Sequence, residues 1–331
     1  MKLFRWFLLI VICVVAALGY LGIGLYTAYA GFQQPVFVDL PKGTSAAHMA
    51  DLLQNAGVIR HSWAFLIARA FRRGATLQAG EYRFAKPASV LEVFDRIQRG
   101  DIFYYELVVP EGKNMFDIAA AAERLGVFPA GSFLQAARNP AIIRDLDPSA
   151  PTLEGYLFPN TYRLRRNTAP EQLCLTMTGK FREVWRSLGA PANVHSTVTL
   201  ASLVEKEGKL AEERPIIASV FARRLAIGMK LDCDPTTIYA ALLAGNYRGS
   251  IYKSDLASAD PYNTYHHAGL PPGPIANPGV ASINAVLHPA DTDYLYFVAR
   301  ADGSGGHNFS ADLVGQQANV MKYRRATSPR Q

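Results

Sequence analysis

Glu205 and Glu207 close the run TLASLVEKEG, residues 199 to 208, just ahead of a glycine. Residues 193 to 207 have the pattern of a helix, with Val198, Ala201, Leu203 and Val204 among its apolar positions. The last turn of a helix carries partial negative charge, so a carboxylate there is disfavoured. A carboxyl group held at that end and against apolar surface keeps its proton more readily, which suits a general acid working near neutral pH. Residues two apart do not share a helix face, so one of the pair can enter a site and the other is expected to face solvent. Glu205 directly follows Leu203 and Val204 and is the stronger candidate. Two plainer roles compete: Ser202 and Glu205 have capping-box spacing, and either acid could be solvated beside Lys206.

Other constellations are less specific. Asp232 and Asp234 read as a second acid, a weak cation site or helix caps, with a cap by Asp234 ahead of Pro235 the most economical. Residues 261 to 279, PYNTYHHAGLPPGPIANPG, hold too much proline and glycine for a helix or central strand. They must form a long ordered loop, and such loops are disproportionately functional. Within it Tyr262 and Tyr265 could stack on sugar rings and Asn263 and Thr264 could bond hydroxyls, unless the tyrosines simply pack beneath the loop. His266, His267, His288 and His307 match no zinc spacing, so neither metal nor cofactor is expected. Ser250 and Lys253 have SxxK spacing without the KTG element that accompanies it in serine enzymes.

These residues need a scaffold. The 331-residue chain is 50% hydrophobic and 18% charged, enough for a sizeable core, and its charge of +7 suits an anionic polymer or surface. The basic residues are scattered, which argues against nucleic acid. Residues 6 to 28 are apolar and long enough to cross a bilayer, with residues 1 to 5 as a short tail. Lys2 and Arg5 put that tail in the cytoplasm by the positive-inside rule, and Trp6, Tyr20, Tyr26 and Tyr29 suit the interfaces. A cleaved signal peptide ending near Ala28 and Ala30 is the rival, but the apolar stretch is longer than usual for one. Cys13, Cys174 and Cys233 make no disulfide framework.

Residues 36 to 150 carry a strand–turn–helix plan twice. Pro41, Gly43, Met49, Ala50, Gly57 and Phe65 answer to Pro110, Gly112, Ile118, Ala119, Gly126 and Phe133. Between the copies Ser89 and Glu92 fit a capping box and Gly100 a helix stop. Residues 137 to 152 read as a linker, residues 151 to 323 as a second domain, and residues 324 to 331 as a disordered basic tail. The fold class expected is α+β: one transmembrane helix, small α+β repeats, then a larger mixed α/β domain.

The repeats resemble LysM-like modules, which implies glycan contact; a packing module beside the membrane is the alternative. From residue 153 onward the chain resembles the YceG-like family, the MltG-type endolytic murein transglycosylases. LEGYLFPNTY, ASLVEKEG, ERPIIASVFARRLAIGMKL, DPTTIYA, the 261–279 loop, HPADTDYLYFV and GGHNFS stand in the family's order. The resemblance implies cleavage of the MurNAc–GlcNAc bond of peptidoglycan without water, leaving 1,6-anhydro-MurNAc ends. It implies Glu205 as the catalytic acid and then base, in a domain on the periplasmic side of the inner membrane. Glu154, Tyr156, Tyr262, Asn263, Thr264 and Tyr265 fall in family motifs and are expected to shape the substrate cleft. Coupling to peptidoglycan synthases is a further expectation of the resemblance. Asn160, where an acid is more usual, and Cys233, in place of a small polar residue, are the departures. A lysozyme-type hydrolase using Glu205 with Glu154, Asp232 or Asp234, and a non-catalytic wall-binding scaffold, remain open.

Overall fold

A computed structural model describes residues 2–189 and 192–327, and by internal contacts the chain divides into two compact units, residues 1–104 and 105–331. It is α+β: thirteen helices and six short strands are described, the strands paired into three antiparallel two-stranded sheets.

In the first unit, helix α1 (Lys2–Tyr26) is uncharged after Arg5 and is the one described helix long and apolar enough to cross a membrane. It starts within the expected tail and stops two residues short of the expected span. Strand β1 (Val36–Leu40) alternates side chains, burying Val38 and Leu40, and a tight turn at Gly43 leads into α2 (Ala46–Asn55). Of the two capping candidates, Ser45 accepts from the His48 amide, while Thr44 donates back to the Pro41 carbonyl. Helix α3 (Ser62–Phe71) returns the chain to β2 (Gly80–Phe84), which pairs with β1 in the register Val36↔Phe84 to Leu40↔Gly80. Helix α4 (Val90–Arg99) begins with the capping box of Ser89 and Glu92 and stops at Gly100. Leu40, Leu53, Phe65, Tyr82 and Phe94 are the centre of this unit's core.

The second unit opens with the same plan. Strand β3 (Tyr105–Val109), helices α5 (Met115–Arg124) and α6 (Ala130–Ala137), and strand β4 (Asn160–Leu164) repeat the order strand–helix–helix–strand, with β3 and β4 antiparallel. Gly43 and Gly112 both take left-handed φ, +87° and +75°, at the turn after the first strand. Phe65 and Phe133 are both fully buried. The matched positions therefore do matching work, and each module adds a second helix and a second strand after the strand, turn and helix.

The pairing of β3 with β4 runs across the expected linker, so the division between units falls after Tyr104 and not near residue 150. Residues 138 to 152 are part of the packed body: Ile143, Asp147 and Ala150 are buried, and the Leu153 amide bonds the Ala137 carbonyl. Asp147 accepts from Tyr156 and faces His195 Nδ1 at 2.7 Å, which consumes its charge internally.

Helices α7 (Pro170–Ser187), α8 (Val194–Glu207), α9 (Arg214–Ala226), α10 (Asp234–Leu243) and the single turn α11 (Lys253–Leu256) then lead to the long loop. Residues 261 to 279 are irregular and largely buried, as their composition requires. Helix α12 (Val280–Leu287) packs on α8 and α9, and a hairpin of β5 (Tyr296–Ala299) and β6 (His307–Ser310) precedes α13 (Leu313–Thr327). The expected basic tail is helical through Thr327, and residues 328 to 331 lie outside the described residues. Two apolar clusters hold the unit, one around Tyr156, Phe181 and Trp185 and the other around Leu203, Phe221 and Tyr239.

Candidate acid–base site

Helix α8 delivers Glu205 because nearly every side chain from Val198 to Val204 is buried, fixing the helix in the body, while its end is free to present polar groups. The Glu205 side chain is only 5% exposed. Its Oε1 lies 3.2 Å from Arg214 Nη2, and its Oε2 accepts from the Gly279 amide at 3.0 Å. Arg214 stands in the first turn of α9, and its Nε also donates to the Gly208 carbonyl at 3.1 Å, satisfying the end of α8. One guanidinium therefore closes the helix and fixes the carboxyl.

A second carboxyl that the sequence did not single out joins this cluster. Glu111 sits between Pro110 and Gly112 in the turn after β3, with Oε2 3.8 Å from Arg214 Nη1. Its carboxyl lies so close to Gly279 that a Cβ there would come within 1.9 Å of Oε1, which accounts for the glycine. The turn is pinned from behind: the Gly112 amide donates to the Asn277 carbonyl at 2.9 Å and the Asn277 amide returns to Lys113 O at 3.0 Å. Burial first, then the negative charge of Glu205, pushes the Glu111 carboxyl above its usual range, with Arg214 pulling the other way. Two carboxyl groups facing one guanidinium leave a negative charge uncompensated, a local arrangement in which a proton is welcome. Glu111 is 48% exposed, so the cluster opens outward on its side.

Glu207 points elsewhere, as its spacing demands, but it does not face solvent. It is partly buried on the opposite side of α8, where Cys233 Sγ donates to its Oε1 at 3.2 Å, and burial pushes its carboxyl up. It borders a hollow of about 400 Å³ together with Arg224, Asp232, Asp234, Tyr265 and His307. His307 is engaged with Glu213, Nδ1 to Oε2 at 2.8 Å. Asp234 is not a cap: it is the first residue of α10, and its carboxylate accepts from the Tyr265 hydroxyl at 2.6 Å. Asp232 has φ of +48° and lies 3.6 Å from Arg224. Neither aspartate joins Glu205.

The remaining motif residues hold the loops. Glu154 is buried, accepting from the Met115 amide at 2.9 Å and from Asn277 Nδ2 at 2.7 Å; burial drives its carboxyl up to about 8. Tyr156 is buried against Phe181 with its hydroxyl on Asp147. Asn263 donates to the carbonyls of Asp255, Leu256 and Ser258, and Thr264 accepts from the Cys233 amide at 3.0 Å. Tyr262 is 9% exposed and packs on Tyr239 at 5.2 Å between rings. Of the expected cleft residues, Tyr265 alone borders one of the larger hollows. A cavity of about 630 Å³ lies along β3, α5 and α10 and includes Lys206, next to Glu205, but neither Glu205 nor Glu111 lines it.

Two carboxyl groups held about one arginine, one at a helix end and one in a strand-following turn of an α+β body, make a candidate acid–base site. The chain belongs to the YceG-like family, whose sequence profile matches residues 38–322. It is 33% identical over 289 residues to an endolytic murein transglycosylase of Bacillus subtilis, covering 81% of this chain and 79% of that one. It is 29% identical to an endolytic murein transglycosylase of Streptococcus pneumoniae, over 88% of this chain, and spans 60% of the length of that protein. Its fold matches the crystal structure of a YceG-like protein of Listeria monocytogenes, lmo1499, with a TM-score of 0.56 and 29% identity, covering 87% of this chain and 99% of that one.

Proposed function

We propose that this chain is an endolytic murein transglycosylase held by its N-terminal helix in the cytoplasmic membrane, with the second unit outside it. The observation that carries the reading is the placement of Glu205, buried and bonded to Arg214 and the Gly279 amide, in a chain whose relatives bear that name. Glu205 gives a proton to the glycosidic oxygen as the bond from MurNAc C1 breaks. The sugar's own C6 oxygen then bonds C1, and its hydroxyl proton goes to Glu205, so the residue is restored and no water is added. Arg214 holds the carboxylate left after the first proton transfer. Glu111, whose carboxyl is pushed above its usual range by burial and by the negative charge of Glu205, is the member of the pair that holds a proton more readily.

Glu154, Tyr156, Tyr262, Asn263 and Thr264 act from behind, setting the loops that shape the cleft, and Tyr265 is the member of the set that touches sugar. The LysM-like modules contact glycan, Lys2 and Arg5 keep the N-terminus in the cytoplasm, and peptidoglycan synthases are the partners that such an activity would serve. One observation favours a second reading: Glu111 puts another carboxyl beside Glu205, and a paired carboxyl is what lysozyme-type hydrolysis requires.

The full chain in detergent micelles is expected to shorten isolated glycan strands, measured by size-exclusion chromatography. Unshortened strands would leave the scaffold reading in its place. Because the raised carboxyl is that of Glu111, Glu111→Gln should remove from the pH–rate profile the step that it contributes above the usual carboxylate range, and an unchanged profile would remove Glu111 from the proton balance.

A further inference from the structure

Helix α3 has two apolar faces; the core takes one of them and, of the other, only the half-buried Trp63 at its start. Ala64, Phe65 and Ala68 are buried in the first unit. Trp63, Leu66, Ile67, Ala70 and Phe71 follow each other at helical spacing along the other side, with Phe71 82% and Leu66 39% exposed. The stripe starts on α1. The Trp63 ring stacks on Tyr20 with centroids 5.3 Å apart, and it lies so close to Gly24 that a Cβ there would come within 2.6 Å.

Tyr20 is six residues before the end of α1, about 9 Å back along the helix at 1.5 Å per residue. Trp63 therefore meets α1 between Tyr20 and Gly24, within about 9 Å of the outer end of the apolar span, near the water–lipid boundary that tryptophan and tyrosine favour. From Trp63 the stripe extends eight residues away from α1, about 12 Å along α3. Basic side chains flank it. Arg60 lies over the Tyr29 ring before α3, and Arg69, Arg72 and Arg73 gather at its end, where Asp95 pairs with Arg72. An apolar face with arginines at its margins is the pattern of a helix lying in a bilayer interface.

We infer that α3 lies on the outer surface of the same membrane that α1 spans, its Trp63–Phe71 stripe in the acyl boundary and its arginines among anionic headgroups. This rests on the reading of α1 as the membrane anchor. The first unit is then fastened to the bilayer at two points, which fixes its orientation instead of leaving it to swing on one helix.

The test uses the full chain in vesicles of phosphatidylcholine with a minor share of phosphatidylglycerol. Nitroxide labels are read by collision with oxygen, which enriches in lipid, and with a water-soluble nickel chelate. Native Cys13 reports on α1, since Cys174 and Cys233 are buried. In a Cys13→Ala background, Phe71→Cys reports on the stripe and Lys42→Cys, on an exposed turn, reports on water. The label at position 71 is expected to favour oxygen over nickel several-fold relative to position 42, as the label at Cys13 does. A label at 71 as open to nickel as that at 42, with Cys13 in lipid, overturns the inference and leaves the anchor standing. Cys13 in water overturns both. Dipolar broadening between labels at 71 would show a second copy covering the stripe and also overturns it. Vesicles without phosphatidylglycerol should keep the label in lipid but reduce the contrast, because the arginines add to an apolar seat and do not replace it.

Discussion

Glu205→Gln is expected to lower the rate of glycan-strand cleavage roughly a thousandfold, the scale of a general acid–base group, while the protein stays folded. Glutamine preserves the shape of the side chain and can still accept from Arg214 or from the Gly279 amide. It can neither give a proton to the glycosidic oxygen nor take one from the C6 hydroxyl, so both halves of the reaction lose their partner. The loss should appear in kcat, because the group acts on the reacting atoms and not on the bulk of the strand. Thermal melting of the variant beside the parent controls for misfolding. Equal rates in the two proteins would take Glu205 out of the chemistry.

The second large effect falls on stability. Glu154→Ala is expected to cost about 3–5 kcal/mol, from two buried donors left unpaired and a cavity in their place. The donors are the Met115 amide at the start of α5 and Asn277 Nδ2. Asn277 in turn accepts from the Leu157 amide at 2.9 Å and pairs with the turn that carries Glu111. Losing Glu154 therefore loosens the floor of the acid–base cluster as well as the body. In the parent protein, Glu154 has its carboxyl raised from 4.5 to about 8 by burial. A raised carboxyl keeps its proton in the native state after the unfolded chain has lost it. Its contribution is thus fully present below pH 4.5 and is lost as pH rises through about 8. Glu154→Gln, which has no proton to lose, should flatten the decline of melting temperature across that window. A parent curve that is already flat there would mean that Glu154 carries no such shift.

Local signals in the sequence were strong where one segment decides the outcome. Residues 193 to 207 form the helix that the apolar pattern and Gly208 indicate, Ser89 and Glu92 make their capping box, and the 261–279 loop is irregular. The repeat was legible because its turns and core positions recur at a nearly constant interval. Partners brought together from far apart were not. Glu111 is 94 residues from Glu205, and the matching position in the first module is Lys42, so the repeat itself gave no reason to single it out. Its nearest signal was Gly279, which tolerates the carboxyl only because it lacks a Cβ. Arg214, directly ahead of Pro215 at the start of α9, carries no local signal of its partners either.

The polar motif residues were legible as a group and ambiguous in role. An irregular loop buried as deeply as 271 to 279 has backbone amides and carbonyls that no ladder satisfies. Its Ile275 amide donates to Ser202 Oγ, its Gly279 amide to Glu205 and its Asn277 amide to the Lys113 carbonyl. Asn263, Thr264, Asn277 and Glu154 bond backbone groups of the neighbouring segments, so a high density of such residues marks a built loop as readily as a binding surface. The expected linker failed for a related reason. Proline and aspartate near residue 147 suggested solvent, but Asp147 is buried between Tyr156 and His195.

In the proposed reaction, cleavage uses the sugar's own hydroxyl and no water, with Glu205 serving both proton transfers. The most direct measurement is mass spectrometry of the new glycan ends after the full chain in micelles has cut isolated strands in heavy-oxygen water. The parent protein is expected to give 1,6-anhydro ends that carry no heavy oxygen, and Glu205→Gln to give no new ends. Reducing ends that each carry one heavy oxygen would contradict the proposed reaction and make Glu111 and Glu205 the carboxyl pair of a hydrolase.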